Sequence, residues 1–461
     1  MADFFSLLPD TLIILIISSL PFKEAARTSV LSKRWRRFFH ETKTVDFDET
    51  HFIKESTEED QSKKDTQRRA FLDFLSDWVR NSTAPVLNKL RLAISNPQDS
   101  ALQVNNCVRF AVDRKAKILE LDFSDPSWNE ESFENHDALF DLPPSIYEHD
   151  TLEFLKLFSC NFLSSGFENF TSLKSISLGW IELPNSSLGS LLSTCRFLEN
   201  LSLKKCWGLE YVSVSAPRLK SLVIDKCLDL ENGVWINSRT KLRVFKYIGL
   251  LVNVEIESWR DLEEAYLDYG LESNLRDCGD LLYQTLDNVY SVRHLTVCSY
   301  MLQEIPSAED WPTMKPPLQC LKLLTLKTAL HPHEYHGISF FLNSCPCLET
   351  LTLDIVPSKI FQERATHLPL QEHEFLGNSK YVLVQKWMKS LKVVEVKGFK
   401  GGVFEVAVVG FLMACGRGLE RLSIVLSKDK GDPSQEDRYR TDAERLLRFP
   451  RASASLRASI I

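Results

Sequence analysis

One short pattern recurs along most of the chain and limits what the chain can fold into. It consists of an apolar residue, two variable residues, a second apolar residue, one variable residue and a third apolar residue. Copies begin at Leu152, Leu173, Leu198, Leu219, Leu242, Leu262, Val292, Leu321, Leu348, Leu391 and Leu419, with weaker copies at Leu87 and Ala116. From Leu152 onwards successive copies lie 20 to 30 residues apart, except for 43 residues between Leu348 and Leu391. Such a period is typical of repeat proteins in which each repeat supplies one strand.

A longer unit repeats around the same strands. The segments "SLLSTCRFLENLSL" from Ser190, "FFLNSCPCLETLTL" from Phe340 and "GFLMACGRGLERLSI" from Gly410 each read as a short helix, a cysteine, a turn and a strand. A single unit of this size cannot bury its apolar face, so neighbouring units must stack. From Leu87 to about Leu426 the chain resembles leucine-rich repeat proteins. The predicted fold class is α/β, a solenoid with parallel strands on its concave face.

The N-terminus carries six consecutive aliphatic residues, Leu12 to Ile17. Asp10 can cap a helix there, and Pro21 must end it, so the helix is too short to span a membrane. A second short helix is expected near Phe22, and Ser32 can cap a third. A helix that is apolar on all sides must be buried on all sides, yet three short helices cannot cover one another completely. The remaining cover must come from the body of this chain or from a partner.

These residues resemble a plant-type F-box. The resemblance is carried by Leu8-Pro9-Asp10, Leu12, Ile16, Leu20-Pro21 and the run Val30 to Arg36. It implies that the first 45 residues bind the Skp adaptor of an SCF-type ubiquitin ligase and, through it, the cullin and RING subunits. The adaptor-binding residues that it implies are Leu8, Pro9, Leu12, Ile16, Leu20, Pro21, Val30, Leu31 and Trp35.

Charge and cysteine content narrow the function further. The chain has 55 basic and 62 acidic residues, a net charge of -7, which disfavours a protein built to bind nucleic acid. The basic residues Lys33, Arg34, Arg36 and Arg37 could form a nucleic-acid or nuclear-import patch, but a solvated helix face is favoured. Eleven scattered cysteines and the absence of a secretory pattern favour reduced thiols and a cytoplasmic or nuclear location. No membrane partner is expected.

The pattern predicts four regions: residues 1–45 form the F-box, 46–69 a charged linker or loop, 70–383 the leucine-rich repeats and 384–461 a C-terminal repeat and tail. The C-terminal region resembles the FBD module of plant F-box/leucine-rich repeat proteins. Its closing segments, Lys428 to Arg440 and "RFPRASASLRASII", suit an end-cap and tail. Between Asp354 and Lys389 the chain departs from the repeat.

Residues that could support chemistry have simpler interpretations. Cys160, Cys206 and Cys227 follow strands at a position where this repeat type satisfies turn backbone groups, and Cys195 and Cys345 end the convex helices. The cluster His331 to His336, even with His367 and His373, is interpreted as a solvated loop, because Pro332 prevents the helical spacing that a metal site needs. The sequence contains no recognisable nucleotide-binding or nucleophile motif. We therefore expect no catalytic residue, no metal and no cofactor.

A binding surface remains. In this repeat type the variable strand positions point away from the core. They place Lys204, Asp225, Lys246, Tyr266, Asp268 and Thr296 on the concave face, as candidate contacts for an unknown protein substrate. The irregular stretch Asp354 to Lys389 is the rival location. The predicted function is the substrate-recognition subunit of an SCF-type ubiquitin ligase, not an enzyme itself. The alternatives are a non-catalytic repeat scaffold outside any ligase and, on the histidine cluster alone, an enzyme.

Overall fold

Alternation of apolar and polar residues turns each copy of the repeat pattern into a strand with one buried side. In the strand Asn200–Lys204, for example, Leu201 and Leu203 are buried while Ser202 faces outward. The structure is a computed structural model, which describes residues 7–53, 61–125, 139–161, 163–227, 229–257, 259–305, 318–361, 387–428 and 433–461. The chain divides into two units, Met1–Leu209 (unit 1) and Glu210–Ile461 (unit 2), and each is described by itself.

Unit 1 begins with helices and continues with repeats. Its helices are α1 Asp10–Ser19, α2 Phe22–Thr28, α3 Lys33–His40, α4 Gln61–Asn81, α5 Ala101–Asp113 and α6 Asn185–Thr194. Its strands are β1 Thr44–Asp48, β2 Lys89–Ala93, β3 Ile118–Asp122, β4 Phe140–Asp141, β5 Phe154–Phe158, β6 Cys160–Asn161, β7 Ser175–Gly179 and β8 Asn200–Lys204. Six of them form a parallel sheet in the order β1-β2-β3-β5-β7-β8, and β4 pairs with β6.

Unit 2 contains the remaining repeats. Its strands are β9 Val212–Val214, β10 Ser221–Asp225, β11 Val234–Ile236, β12 Val244–Ile248, β13 Val254–Ile256, β14 Glu264–Asp268, β15 His294–Val297, β16 Leu323–Thr328, β17 Thr350–Ile355, β18 Val393–Phe399, β19 Arg421–Leu426 and β20 Arg457–Ile460. Its helices are α7 Gly279–Asn288, α8 Ser299–Glu304, α9 Tyr335–Ser344, α10 Trp387–Ser390, α11 Val403–Cys415 and α12 Pro433–Leu446. The main sheet runs from β10 through β12 and β14 to β20, and β9, β11 and β13 form a smaller parallel sheet.

The predicted fold class is confirmed, since helices at the N-terminus precede parallel sheets built from the repeats. Every copy of the pattern, including the weaker ones at Leu87 and Ala116, supplies a strand. Within the described residues, seven further strands carry no copy of the pattern and were not predicted: β1, β4, β6, β9, β11, β13 and β20. β1 alternates Val45 and Phe47 with polar residues but has no leucine, and β20 lies in the segment expected to be a tail. The last predicted end-cap thus contains one more helix and strand, α12 and β20.

The prediction of a charged linker or loop over 46–69 is wrong within the described residues. Its first residues belong to β1, whose Val45 and Phe47 side chains are buried, and its last nine residues open α4. The acidic residues Asp46 and Asp48 are compatible with a strand because Arg91 of β2 lies opposite them. Residues 54–60 lie outside the described part. The boundaries at 45, 69 and 383 remain predictions.

An aromatic cluster packs the N-terminal helices onto the rest of unit 1. The ring of Phe22 in α2 lies 5.2 Å from Phe39, 5.4 Å from Phe47 and 5.7 Å from Trp78, measured between ring centroids. Trp78 of α4 also contacts Phe110 of α5 at 5.9 Å. The apolar side of α4, with Phe71, Leu75 and Trp78, is therefore core, and one side of the N-terminal helices is covered by the chain itself.

The turns that follow the strands share a backbone conformation. Ser159, Lys205 and Lys226 have φ angles of 59°, 51° and 55°, and each precedes one of the cysteines that the sequence assigned to this position. The Cys206 thiol donates to the carbonyl of Leu178 at 3.6 Å, in the neighbouring strand. Cys195 and Cys345 are the C-cap residues of α6 and α9. These cysteines are buried, as their structural interpretation requires.

Candidate binding surfaces

Helix α1 is buried on one side only. Ile13 and Ile17, four residues apart, face the interior and are 0% and 2% exposed. Leu12 and Leu15, three residues apart, face solvent, and Leu15 is 64% exposed. Pro9 occupies the N-cap position, and no side chain caps the helix, so the predicted capping by Asp10 is wrong.

The Asp10 carboxylate instead binds α3. The Arg34 guanidinium donates to Asp10, with its Nε 2.8 Å from Oδ1, and also to the carbonyl oxygen of Leu8 at 2.6 Å. Arg37 Nη2 lies 3.3 Å from Asp10 Oδ2. Two of the four basic residues in this run therefore hold α3 against the start of α1. Because Val30 and Leu31 immediately precede α3, this contact brings them to the same end of unit 1 as Leu8.

Together these contacts leave a set of apolar side chains in solvent around α1 and just before α3, which we call the N-terminal apolar face. It comprises Leu7, Pro9, Leu12, Leu15, Val30 and Leu31, and Val30 is the most exposed of them at 78%. None of these side chains carries a charge. Exposed aliphatic side chains of this number in one place are typical of a surface that a partner covers.

The structure distributes the predicted adaptor-binding residues over three layers. Pro9, Leu12, Pro21, Val30 and Leu31 are exposed, and Leu8, Ile16 and Leu20 are half-buried. Trp35, within α3, is only 3% exposed and lies behind the surface. The sequence analysis missed Leu15, although its helical spacing from Leu8 and Leu12 could have revealed it.

The outward side of the unit 1 sheet has a different character, because its charges bind one another. Arg91 Nη1 lies 2.7 Å from Asp46 Oδ1 and 2.8 Å from Asp48 Oδ2. Lys156 Nζ lies 2.7 Å from Asp122 Oδ2. Burial opposes ionisation of Asp48, but hydrogen bonds from Thr50 and Arg91 lower the pKa of its carboxyl. The pKa of Asp122 is lowered in the same way, since hydrogen bonds from Lys156 and Ser124 outweigh its burial.

On the unit 2 sheet, one column of outward positions carries small hydroxyl groups. In consecutive strands of the sheet the aligned residues are Tyr266, Thr296, Thr325, Thr352, Glu395 and Ser423. We call these six residues the hydroxyl row. Three threonines lie side by side in the row, between an aromatic residue at one end and a carboxylate at the other, and Thr352 is the most buried of the three at 8% exposure. The sequence analysis found Thr296 but missed Thr325 and Thr352, which repeat the same position of the pattern.

Tyr266 is held by its neighbours. Lys327 Nζ donates to the Tyr266 hydroxyl at 3.1 Å and also to the Asp268 carboxylate, and the Tyr266 hydroxyl lies 3.4 Å from Asp268 Oδ2. Burial raises the pKa of the Tyr266 hydroxyl. Burial alone would lower the pKa of Lys327, but its hydrogen bonds to Asp268 and Tyr266 raise it well above the ordinary value. Asp268, predicted to be exposed, is only 7% exposed because these contacts cover it.

The other predicted substrate-binding residues lie on outward strand positions of their own units. Lys204 ends β8 in unit 1 and Asp225 ends β10 in unit 2, and both are half-buried. Lys246 of β12 is aligned with Tyr266, which in turn is aligned with Thr296. Lys246 Nζ also lies 2.7 Å from Glu264 Oε1. The structure thus brings Lys246, Tyr266, Asp268 and Thr296 onto one sheet surface. Lys327, which joins two of them, was missed, although it follows the last leucine of its copy just as Asp268 does and this equivalence could have revealed it.

The rival location is only partly described. After β17, residues 356–361 fold back across α8, and we call them the return segment. The Gln303 side chain holds it at two points, donating to the Lys359 carbonyl and accepting from the Phe361 amide, both at 2.9 Å. The Phe361 ring meets Tyr300 at 6.1 Å. Residues 362–386, the larger part of the predicted irregular stretch, lie outside the described residues.

Comparison with protein families gives both surfaces a context. Residues 5–43 match the model of the F-box domain. Residues 79–433 match the model described as the At1g61320/AtMIF1 LRR domain, which covers most of the chain. The chain is an F-box/leucine-rich repeat protein. The N-terminal apolar face therefore lies within the F-box, and the hydroxyl row lies within the leucine-rich repeats.

Relatives along the whole length support this assignment. F-box protein At3g62230 of Arabidopsis thaliana is 35% identical over 436 residues, covering 92% of this chain and 91% of the relative. F-box/LRR-repeat protein At3g03360 of the same plant is 27% identical and covers 76% of this chain and 70% of its own. F-box/FBD/LRR-repeat protein At1g78750, also from Arabidopsis thaliana, is 22% identical over 100% of this chain and 96% of its own length. The resemblance of the C-terminal region to the FBD module remains a prediction.

The histidine cluster of this F-box/leucine-rich repeat protein is a helix start and not the solvated loop that was predicted. Pro332 opens a short 3-10 turn, Pro332–Glu334, that leads into α9. The His331 ring nitrogen accepts a hydrogen bond from the His333 amide at 3.3 Å, and Glu334 accepts one from the His331 amide at 2.8 Å. Burial lowers the pKa of both His331 and His333. His367 and His373 lie outside the described residues.

Within the described residues, no group of three or more His, Cys, Asp or Glu side chains is arranged to hold a metal ion. In the same part of the chain, no helix has the length and apolar composition needed to cross a membrane.

Proposed function

We propose that this F-box/leucine-rich repeat protein is the substrate-recognition subunit of an SCF-type ubiquitin ligase. The N-terminal apolar face carries the proposal, because its uncharged aliphatic side chains stand in solvent within the F-box and need a partner to cover them. That partner is a Skp adaptor, which links the chain to the cullin and RING subunits. The chain itself performs no chemistry and instead raises the local concentration of a bound protein near the transfer machinery.

Assembly of the complex tests this proposal. The full chain is mixed with purified Skp adaptor, cullin and RING subunits and resolved by size-exclusion chromatography. A stable complex containing all four is expected for the wild type, whereas Leu12→Asp/Ile16→Asp should elute alone. Circular dichroism of the variant must match that of the wild type. Equal recovery of both proteins in the complex would contradict the adaptor role.

A second candidate function has an observation of its own. The packing of Phe22 against Phe39, Phe47 and Trp78 favours N-terminal helices that cap the repeats of a scaffold outside any ligase. In that case the chain would bind a protein through its repeats but would not enter the four-subunit complex. The same chromatography separates the two candidates, since a scaffold would leave the adaptor unbound.

The substrate is assigned to the hydroxyl row and its neighbours. Outward strand positions provide the broadest regular surface of unit 2, and the row offers hydroxyl, aromatic and charged groups that suit a protein better than a phosphate chain. The rival is the stretch after the return segment. Tyr266→Ala/Asp268→Ala should weaken substrate binding, whereas deletion of residues 363–384 should not. Because this deletion keeps Phe361, it preserves the contacts of Gln303. The opposite result would move the substrate to the deleted stretch.

An enzymatic role would have to use the histidine cluster. Replacement of His331, His333 and His336 with Ala is expected to leave ubiquitylation of a bound substrate unchanged, provided that the variant folds. Loss of ubiquitylation with unchanged substrate binding would contradict a purely non-catalytic role.

A further inference from the structure

Two of the eleven cysteines have exposed side chains, Cys320 and Cys347. The other nine are buried or half-buried. The two exposed cysteines occupy the same position of neighbouring repeats, since each immediately precedes the first leucine of its copy of the pattern, Leu321 and Leu348. The two exposed cysteines therefore lie at equivalent positions of adjacent repeats in unit 2.

The turns that carry the two cysteines have the same backbone hydrogen bond. The Leu321 amide donates to the carbonyl of Leu318 at 3.4 Å, and the Leu348 amide donates to the carbonyl of Cys345 at 3.2 Å. Each exposed cysteine is the third residue of its turn. Their backbones therefore follow equivalent paths into β16 and β17, which pair in parallel with Leu323 opposite Thr350.

Contacts immediately after the cysteines show how close the two turns lie. The amides of Glu349 and Thr350 both donate to the carbonyl of Lys322 at 2.9 Å. The side chains two residues beyond each cysteine also meet, with Lys322 Nζ 2.8 Å from Glu349 Oε1. Neighbouring strands lie about 4.8 Å apart, and the Cα atoms of a disulfide lie about 4.4–6.8 Å apart. The spacing of the repeats is thus compatible with a bond between the two sulfurs.

We propose that Cys320 and Cys347 form a reversible disulfide when the protein meets a peroxide. One thiolate attacks the peroxide oxygen, which gives a sulfenic acid and releases water. The second thiol then displaces the hydroxyl group as a second water and forms the S–S bond. Two thiols are oxidised and one peroxide is reduced. This modification site is independent of the proposed ligase function.

The position of the pair explains both selectivity and reversibility. Burial raises the pKa of the neighbouring Cys345 thiol and of the half-buried Cys278 and Cys415 thiols, which keeps them protonated and slow to react. An exposed disulfide remains accessible to cellular thiols, so it can be reduced again. While it exists, the bond ties together two repeats whose outward residues include Thr325 and Thr352.

Mass spectrometry of the full chain tests the proposal. The reduced protein is treated with one equivalent of hydrogen peroxide, its remaining thiols are alkylated under denaturing conditions, and proteolytic fragments are mapped without reduction. The expected product is a monomer with two fewer free thiols and a linked fragment pair containing Cys320 and Cys347. Dithiothreitol should restore both thiols.

Matched variants decide the outcome. Cys320→Ser and Cys347→Ser should each abolish the linked pair, whereas Cys415→Ser should retain it in full. The wild type should also gain thermal stability on oxidation, and the two serine variants should not. Three results would overturn the proposal: a monomer with unlinked acids at both sulfurs, a linkage between different cysteines, or a covalent dimer on a non-reducing gel.

Discussion

The N-terminal apolar face and the outward side of the repeat sheets both contain solvent-exposed residues, but they differ in their contacts. The first consists of apolar side chains in water, whereas the second carries charges that pair with one another. Leu15 and Val30 are 64% and 78% exposed, and each Å² of apolar area so exposed forgoes about 25 cal/mol of burial free energy. On the sheets, Arg91 is paired with Asp46 and Asp48, and Lys327 with Asp268. The first surface needs a partner to gain stability. The second can remain in water and use its charges to discriminate between partners.

The largest effect on binding is expected where a charge enters the N-terminal apolar face. Val30→Asp/Leu31→Asp should weaken binding of a purified Skp adaptor by at least about 100-fold, because aspartates buried in an apolar interface cannot be solvated. Calorimetry measures the dissociation constant. Ile14→Asp is the matched control, since Ile14 is 41% exposed but lies on another side of α1. The control should bind within about threefold of the wild type. An equal loss of affinity in the control would mean that the adaptor contacts a different set of residues from the N-terminal apolar face.

The next effect concerns the covered side of the same helices. Phe22→Ala removes a ring at the centre of the aromatic cluster, and it should lower the free energy of unfolding of unit 1 by about 3–5 kcal/mol. Urea unfolding followed by tryptophan fluorescence gives this value. A loss below about 1 kcal/mol would show that the F-box helices are only loosely attached to the repeats.

The contrast between the two faces also explains what sequence reasoning could and could not reach. Periodicity predicted the repeat strands because burial alternates along most of them, as Leu201 and Leu203 show. It failed for β1, where charged residues concealed a strand whose opposite charge lies on Arg91, more than forty residues further on. Contacts such as Lys327 with Tyr266, or Arg34 with Asp10, join distant parts of the chain and leave no local pattern. The adaptor-binding residues of the F-box were predicted from a family resemblance, and the structure added Leu15 to them.

Acid should weaken the ion pairs on the unit 1 sheet but leave the N-terminal apolar face unaffected. Because the pKa values of Asp48 and Asp122 are lowered in the folded state, their contribution is present above the unfolded value near 3.8 and is lost as pH falls through the folded values. Urea midpoints should therefore fall on acidification below about pH 4. Arg91→Met should make the urea midpoint depend less steeply on pH in this acidic range. It should also lower the free energy of unfolding by about 1 kcal/mol at neutral pH.

Adaptor binding provides the comparison for that experiment. The N-terminal apolar face contains no titrating group, so its affinity should change less than about threefold between pH 5 and pH 8. If the urea midpoint of Arg91→Met depended on acid pH as steeply as that of the wild type, the carboxylates would be stabilised by something other than Arg91. The contrast between the two surfaces would then weaken.

The smallest effect is expected at the contact of Lys327 with Tyr266 and Asp268. Asp268 is nearly buried, but the Lys327 side chain is 26% exposed and solvent screens its charge, so a double-mutant cycle of Lys327→Met and Asp268→Asn should give a coupling energy below about 1 kcal/mol. Chemical unfolding of the four proteins measures it. A weak coupling allows a substrate to exchange these bonds for its own at little cost, as a recognition surface requires. A coupling above about 2 kcal/mol would mark the cluster as a rigid structural element and move substrate recognition elsewhere on the repeats.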